Sequence, residues 1–213
     1  MLFAAAAGVT AAGVAGAALP GTAGAAPTAA APQPQIDGTE VWGARPPAGT
    51  IDILDYTPSM IIIHHAVSAN TNDFSQTQAH AHARWVQNLH MDDNGWSDTG
   101  YNFVVSRGGW ITEGRHRSLE TLLGGTSFVF GAHTSGQNTN GIGICNEGAY
   151  HDGAVPPTEQ WDSVVALCAY ACQQYGIPPT ELYGHMDFGA TLCPGIFHDM
   201  LPQLREEVAA AMG

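Results

Sequence analysis

The run MIIIHH at residues 60–65 constrains the fold more than any other stretch of the chain. Its three consecutive isoleucines are typical of a strand that is buried inside a sheet, because β-branched side chains favour strands. The strand ends in His64 and His65, and the end of a buried strand is a common place for a functional site. We therefore predict a strand over residues 60–64 with a site at its C-terminal end.

A second stretch, residues 183–195, supplies further candidate ligands. Its sequence YGHMDFGATLCPG places Cys193 eight positions after His185, with small residues and no helical periodicity between them. We predict a loop that returns to its starting point and brings the two side chains together. An imidazole nitrogen and a thiolate are typical zinc ligands. Since two ligands do not hold a metal, we expect His64 or His65 to be the third.

Helical and strand patterns alternate through the rest of the chain. The predicted strands are 101–106, 110–113 and 141–147, the predicted helices are 73–90, 197–212 and one that begins at residue 157, and residues 115–130 are a predicted loop. Asp73 or Ser75 is the expected N-cap of the first helix, and its apolar face is expected to hold Trp85, Val86 and Leu89. Hairpins combined with intervening helices predict an α/β fold with a single mixed β-sheet flanked by helices.

Residues 1–35 differ in composition from the predicted domain, which spans residues 36–213. Residues 1–26 are small, apolar and uncharged, and Ala23-Gly24-Ala25 matches the small-x-small cleavage signature of a secretory signal peptide. Gly and Pro interrupt this run, so it is a poor transmembrane helix. Residues 27–35 are a predicted Pro/Ala-rich linker. We expect a secreted, extracellular protein without stable membrane insertion after signal removal; the alternative for the first residues is an unstructured Ala/Gly tail.

Charge and cysteine content limit which partners the chain can bind and which disulfide bonds it can form. The chain has 19 acidic and 6 basic residues, a formal net charge of -13, which argues against nucleic acid or an anionic membrane as a partner. It has four cysteines, and if Cys193 binds metal the remaining three allow at most one internal disulfide. We expect Cys145 to be a buried thiol, and a Cys168–Cys172 bridge stays an open alternative.

Seven short motifs follow one another from Trp42 onward. They are WGARPP at 42–47, IIIHHA at 61–66, GWSDTGYNFVV at 95–105, EGR at 113–115, GAHTSGQNTNGIGI at 131–144, GHMD at 184–187 and TLCPG at 191–195. In this order they resemble the zinc-dependent N-acetylmuramoyl-L-alanine amidases of the amidase-2 type. That superfamily also contains the peptidoglycan recognition proteins and the amidase-type lysozyme of a bacteriophage.

The resemblance implies roles for individual residues. His64, His185 and Cys193 match the three zinc ligands. Tyr101 matches a tyrosine that borders the metal water. Thr191 matches a position held by lysine in the phage enzyme, and because a hydroxyl cannot supply that charge, more of the oxyanion stabilisation is expected from zinc and Tyr101.

Other positions match the surroundings of the site. His133, Asn138 and Asn140 match a loop beside the family's substrate groove and are candidate substrate-binding residues. His65 is a candidate at the same groove, and its alternative role is to pack behind the ligands. For Glu147, at the end of the last predicted strand, the alternatives are a catalytic and a structural role.

The function that the resemblance implies is zinc-dependent hydrolysis of the amide between N-acetylmuramic acid and L-alanine. It implies Zn²⁺ as cofactor, peptidoglycan or its fragments as partner, and a monomer. The alternative is a recognition module that binds peptidoglycan without cutting it; many such proteins lack the zinc cysteine, whereas Cys193 is present here. A structural zinc site is disfavoured, because such sites use four protein ligands. The acidic surface is expected to be repelled by anionic wall polymers, which favours soluble fragments, foreign walls or high salt.

Overall fold

The computed structural model describes residues 30–213 together with residues 1, 2 and 4. Apart from those three residues, the predicted signal peptide lies outside the described part of the chain. No helix among the described residues has both the length and the apolar character needed to cross a membrane.

In residues 30–213, eight strands form two sheets. They are β1 (Ile36–Asp37), β2 (Ile53–Leu54), β3 (Met60–His65), β4 (Phe103–Val105), β5 (Ile111–Glu113), β6 (Phe128–Val129), β7 (Gly141–Asn146) and β8 (Leu182–Gly184). The main sheet has the order β1-β5-β4-β7-β3-β8, and β2 pairs with β6 in a separate antiparallel ribbon. In the main sheet β4 and β5 are antiparallel and the other neighbours are parallel. The sheet is therefore mixed, as predicted.

Six α-helices accompany the strands in this described part of the chain. They are α1 (Thr39–Trp42), α2 (Gln76–Asn88), α3 (Ser118–Gly124), α4 (Thr158–Tyr175), α5 (Ile196–Asp199) and α6 (Leu201–Met212). A π-helical turn, Leu89–Asp93, continues α2, and 3₁₀ turns at Pro179–Glu181 and His185–Asp187 flank β8. The side chain of Ser75 caps α2 by accepting a hydrogen bond from the Gln78 N–H at 3.2 Å. The predicted last helix is divided at Met200 into α5 and α6.

The two faces of β3 have different environments. Ile61 and Ile63 belong to the main hydrophobic core, together with residues of α4 and α6. Successive side chains of a strand alternate between faces, so Ile62 and His64 lie on the opposite face. The alternation separates the core from the site, because it places His64 on one face of the sheet and His65 on the other.

Two local predictions are wrong. Trp85 was expected on the buried face of α2 but is 43% exposed; Ala79, Ala83 and Val86 are buried instead. Residues 115–130 were expected to be loop but contain α3 and β6. The helix forms because Leu122 is fully buried and Glu113 accepts a hydrogen bond from the Leu119 N–H at 2.8 Å. The burial of Leu122 in the hydrophobic core is a tertiary contact, and local sequence does not encode it.

The packed part of the chain begins before the predicted boundary at Ile36. Ala31 is only 5% exposed, and its N–H donates to Gln173 Oε1 in α4 at 2.5 Å. The Tyr170 hydroxyl, also in α4, donates to Gln33 Oε1 at 3.5 Å. The end of the predicted linker therefore lies along α4.

All four cysteines are free and buried. The structure therefore has no Cys168–Cys172 bridge, and Cys145 is a buried thiol as predicted.

Candidate metal centre and active site

Strand pairing brings the first two candidate ligands together. Strand β8 runs parallel to β3 with Gly184 opposite Ile63. Continuing that register places His185, the next residue of the chain, beside His64. Their ring centroids are 4.6 Å apart.

The loop after β8 returns Cys193 to the same place, as predicted. The Met186 N–H donates to the Cys193 carbonyl at 2.8 Å, which closes the loop. Gly195 has a φ of 66° and lies so close to the Tyr150 carbonyl that a side chain at this position would overlap it. Glycine therefore lets the chain leave the loop while Cys193 stays against β3.

The ligand atoms of His64, His185 and Cys193 all lie within 4.8 Å of one another. The His64 Nδ1 atom is 3.7 Å from the Cys193 sulfur. Nitrogen and sulfur atoms bound to one tetrahedral zinc at ordinary bond lengths are separated by about 3.6 Å. The chemistry and spacing of these atoms therefore fit a zinc ion with one open position.

The two histidines are poised to act as neutral ligands. Burial lowers the pKa of His64 well below its usual range, and the neighbouring His133 and His185 add to the effect. Burial also lowers the pKa of His185. Both rings are therefore unprotonated at one nitrogen at neutral pH, which ligation requires.

Cys193 must lose a proton to bind a cation. Burial raises the pKa of its thiol to about 12, and a hydrogen bond from the His65 N–H at 3.3 Å acts in the opposite direction. The ligating form is the thiolate. A cation held at this site would therefore bind with release of the Cys193 proton.

Tyr101 lies beside the ligand group, on the segment that leads into β4. Its half-buried ring is 5.1 Å from His64, between centroids. Burial raises the pKa of its phenol well above the usual range, and the Cys145 and Cys193 thiols act in the same direction. Tyr101 therefore keeps its proton at neutral pH and can donate a hydrogen bond.

Thr191 lies in the ligand loop, two residues before Cys193. Its Oγ1 atom accepts a hydrogen bond from the Cys193 N–H at 3.1 Å, and the residue is half-buried. The hydroxyl proton is not used in that bond. The side chain therefore supports Cys193 while retaining a free donor.

The structure places His133 behind His64. It is 7% exposed, and its Nδ1 atom is 3.1 Å from His64 Nε2. Asn138 holds the same loop, because its side-chain oxygen accepts the N–H groups of His133 and Thr134, each at 2.9 Å.

Asn140 is not brought to the ligand group. It immediately precedes β7, whereas the partner of His64 in that strand is Cys145. Five residues of strand separate the two ends by about 16 Å. The exposed Asn140 side chain donates instead to Gln137.

His65 and Glu147 are both almost completely buried in hydrogen-bond networks. The Nδ1 atom of His65 accepts the Tyr150 N–H at 3.0 Å, and burial lowers the pKa of the ring to about 4. Glu147 accepts the Arg107 N–H at 2.9 Å and the Gln78 side chain at 2.8 Å. These contacts agree with the structural alternatives for the two residues.

Two residues near the site were not predicted from the sequence. His90 packs 5.2 Å from Tyr101 between ring centroids, and its Nδ1 accepts the Gly100 N–H at 2.9 Å. Thr134 places its hydroxyl 3.3 Å from His64 Nε2. A usable signal was the position of Thr134 directly after His133, within the motif GAHT.

The fold and the ligand group together define an α/β domain with a candidate His-His-Cys metal-binding group at the end of a parallel strand. Comparison with known proteins gives the family. A family model described as N-acetylmuramoyl-L-alanine amidase matches residues 54–196. The chain belongs to this family.

Curated relatives include both amidases and recognition proteins. The chain is 34% identical over 157 residues to a human N-acetylmuramoyl-L-alanine amidase, covering 72% of this chain and 25% of the human protein. It is 32% identical over 163 residues to peptidoglycan-recognition protein SC1a of Drosophila melanogaster, covering 72% of this chain and 76% of the relative. The chain thus matches about a quarter of the human amidase and most of the fly protein.

Solved structures share the same fold. Drosophila PGRP-LB superposes with a TM-score of 0.66 at 27% identity, covering 78% of this chain and 92% of the other. A Tyr-to-Phe mutant of PGRP-LB, solved in complex with tracheal cytotoxin, gives a TM-score of 0.64 at 27% identity over 75% of this chain and 88% of the other. The amidase LysC of Clostridium intestinale gives 0.61 at 26% identity, covering 80% of this chain and 97% of the other.

Proposed function

We propose that this chain is a zinc-dependent N-acetylmuramoyl-L-alanine amidase, which hydrolyses the amide between N-acetylmuramic acid and L-alanine in peptidoglycan or its fragments. The observation that carries the proposal is the mutual approach of the His64, His185 and Cys193 ligand atoms to within 4.8 Å. Zinc held by three protein ligands supplies Lewis acidity and lowers the pKa of a bound water to about 7.

Tyr101 is the proposed donor to the oxygen of the substrate carbonyl. As that carbon becomes tetrahedral, its oxygen gains negative charge, and a donor that is already in place stabilises the transition state. The protonated phenol of Tyr101 meets this requirement beside His64. The free hydroxyl proton of Thr191 makes this residue the second proposed donor.

Substrate contacts are proposed for the residues around the ligand group. For His65 and Asn138 the proposed role is indirect, because both side chains bind backbone N–H groups of the protein. His65 holds the backbone of Tyr150, and Asn138 holds the backbone of His133 and Thr134. We propose further that the chain is secreted and acts as a monomer, with residues 1–25 as its signal peptide. The formal charge of -13 favours soluble fragments over anionic walls at low salt.

A recognition module without activity is the alternative function. Relatives with both kinds of name match the chain, so sequence similarity alone does not separate the two. The cysteine ligand favours the enzyme, because a binding groove has no need for a thiolate beside two unprotonated imidazoles.

The test measures zinc content and release of L-alanine-bearing peptides from peptidoglycan fragments on the same preparation. We expect one zinc per chain and cleavage. Cys193→Ser is expected to lose most of the zinc and all cleavage while still binding fragments, and Cys172→Ala, which removes a buried thiol elsewhere, is the matched control. A chain that binds fragments and carries zinc without cutting them is a recognition module, and full activity of Cys193→Ser refutes the metal centre.

A further inference from the structure

His133 is built into the structure as a partner of His64. Its ring lies on Gly143 of β7, and a Cβ atom at that position would come within 2.5 Å of the ring. Gly143 therefore leaves the space that the imidazole fills. Asn138 fixes the backbone of His133 and of Thr134 by accepting both N–H groups.

The hydrogen bonds of His133 define which of its nitrogens carries the proton. Its Nε2 atom lies 3.2 Å from the Gly141 carbonyl. A carbonyl oxygen only accepts hydrogen bonds, so Nε2 is the protonated nitrogen and Nδ1 is the acceptor. This assignment of the His133 proton to Nε2 follows from the position of the Gly141 carbonyl in β7 and does not depend on solvent.

The same reasoning extends to His64. Its Nε2 atom is 3.1 Å from His133 Nδ1, which has no proton to give, so His64 Nε2 is the donor. The proton of neutral His64 is thereby kept on Nε2. Its Nδ1 atom, 3.7 Å from the Cys193 sulfur, is left with a lone pair facing the other ligands.

Thr134 does not change this outcome. Its Oγ1 atom lies 3.3 Å from His64 Nε2 and 3.1 Å from His133 Nδ1. A hydroxyl can accept from the first and donate to the second at the same time. Whether the contact is direct or passes through Thr134, His64 is the donor and His133 the acceptor.

We propose that His133 is a positioning residue that holds His64 in the tautomer required for metal ligation. The Gly141 carbonyl is the fixed end of this series of hydrogen bonds. The proposal rests on the zinc site of the proposed function. Partners of this kind orient the ring and raise the basicity of the ligating nitrogen, and their loss typically weakens metal binding about 10–100-fold.

The test compares His133→Phe with His133→Asn. Phenylalanine retains a ring of similar size without an acceptor, whereas the Asn side-chain oxygen occupies nearly the position of Nδ1. Zinc dissociation constants are measured by competition with a chromophoric chelator. We expect a 10–100-fold weaker constant for His133→Phe and recovery of most of that loss in His133→Asn. Wild-type affinity in His133→Phe, or equal losses in both variants, overturns the proposal.

A second measurement uses the unaltered sequence. Nitrogen-15 NMR of the histidine rings, on wild-type protein dialysed against a chelator, reports which nitrogen of His64 is protonated. We expect the proton on Nε2, and a proton on Nδ1 overturns the proposal even if neither variant folds. A wild-type protein that binds no zinc refutes the proposed function instead, so the two failures are distinguishable.

Discussion

The backbone N–H of His65 donates a hydrogen bond to the sulfur of Cys193 at 3.3 Å. His65, which follows the proposed ligand His64, thus holds the second proposed ligand, Cys193. This donor stabilises negative charge on the sulfur, while burial opposes it and raises the pKa of the thiol to about 12. If the proposed zinc site forms, this balance makes release of the Cys193 proton its pH-dependent step.

Zinc binding should therefore tighten as the pH rises. His64 and His185 have lowered pKa values and lose no proton near neutral pH, whereas the Cys193 thiol loses one. We expect the dissociation constant to fall about tenfold per pH unit between pH 6.5 and 8.5. In Cys193→Asp the carboxylate is already ionised, since its usual pKa is about 3.9.

The two proteins are compared by zinc titration across that pH range and by calorimetry in buffers of different ionisation enthalpy. The logarithm of the zinc dissociation constant should fall more steeply with pH for wild type than for Cys193→Asp. The difference in slope should correspond to one proton released per zinc. Identical slopes would show that Cys193 is not a ligand.

Tyr101→Phe tests the proposed transition-state donor. The substitution removes only the hydroxyl, and loss of one oxyanion donor typically lowers kcat about 10²–10³-fold. We expect KM to remain nearly unchanged, because the interaction forms in the transition state. Tyr56→Phe is the control, since the exposed Tyr56 hydroxyl contacts only the Thr139 carbonyl. A change in kcat of twofold or less for Tyr101→Phe contradicts the role.

Substitutions at Thr191 test whether its hydroxyl contributes to catalysis. Thr191→Val removes both the free donor and the acceptor of the Cys193 N–H, whereas Thr191→Ser keeps the hydroxyl. We expect a smaller loss of kcat for the valine variant than for Tyr101→Phe, and activity close to wild type for the serine variant. Thr191→Lys should keep some activity, because it adds positive charge beside the developing oxyanion. Zinc content measured alongside kcat distinguishes a lost donor from a displaced Cys193.

The sequence predicted the parts of the fold that depend on local pattern. The run 60–65 and the segments with alternating apolar residues were enough to predict the strands of a mixed sheet. The spacing of His185 and Cys193, with small residues between them, was enough for a loop that returns, and the structure brings their ligand atoms to His64.

Features that depend on distant contacts were not predictable. Helix α3 is stabilised because Leu122 is buried in the hydrophobic core together with residues of α4. Trp85 has an apolar side chain, yet the sheet lies against the neighbouring face of α2, where small residues such as Ala79 and Ala83 allow close packing. The partnership of His133 with His64 joins residues 69 positions apart. No periodicity signals such a pair.

The pair His116 and Asp98 should make stability depend on pH. The side-chain hydrogen bond to Asp98, 2.8 Å long, raises the pKa of His116 above its usual value, and burial opposes it. A raised pKa in the folded state means that the stabilisation is complete below about pH 6.5. The stabilisation is lost as the pH rises through the higher pKa of His116 in the folded state, although neutral His116 can still donate a hydrogen bond through Nδ1.

His116→Gln removes the charge and retains hydrogen-bonding capacity. Urea unfolding of both proteins should give a difference in the free energy of unfolding of roughly 1–3 kcal/mol at pH 6. That difference should shrink by pH 9. A difference that grows with pH, or is absent at pH 6, contradicts the predicted coupling.

Truncation tests where the folded domain begins. A chain that starts at Ile36 lacks Ala31, which is buried against α4 and bonded to Gln173. We expect it to fold, with a free energy of unfolding about 1–2 kcal/mol lower than that of a chain starting at residue 30, from the lost burial and hydrogen bond. Cleavage should be unchanged within about twofold, because the core under α4 and the ligand group lie on opposite faces of the sheet.

Gln173→Ala in both chains identifies the contact responsible. In the longer chain the substitution should cost roughly 1 kcal/mol, the value of one hydrogen bond. In the chain starting at Ile36 it should cost almost nothing, because its partner is already gone, so the two effects are not additive. Equal costs in both chains would mean that residues 31–35 do not contact α4 in solution. Global unfolding of the shorter chain would mean instead that this segment is an essential part of the domain.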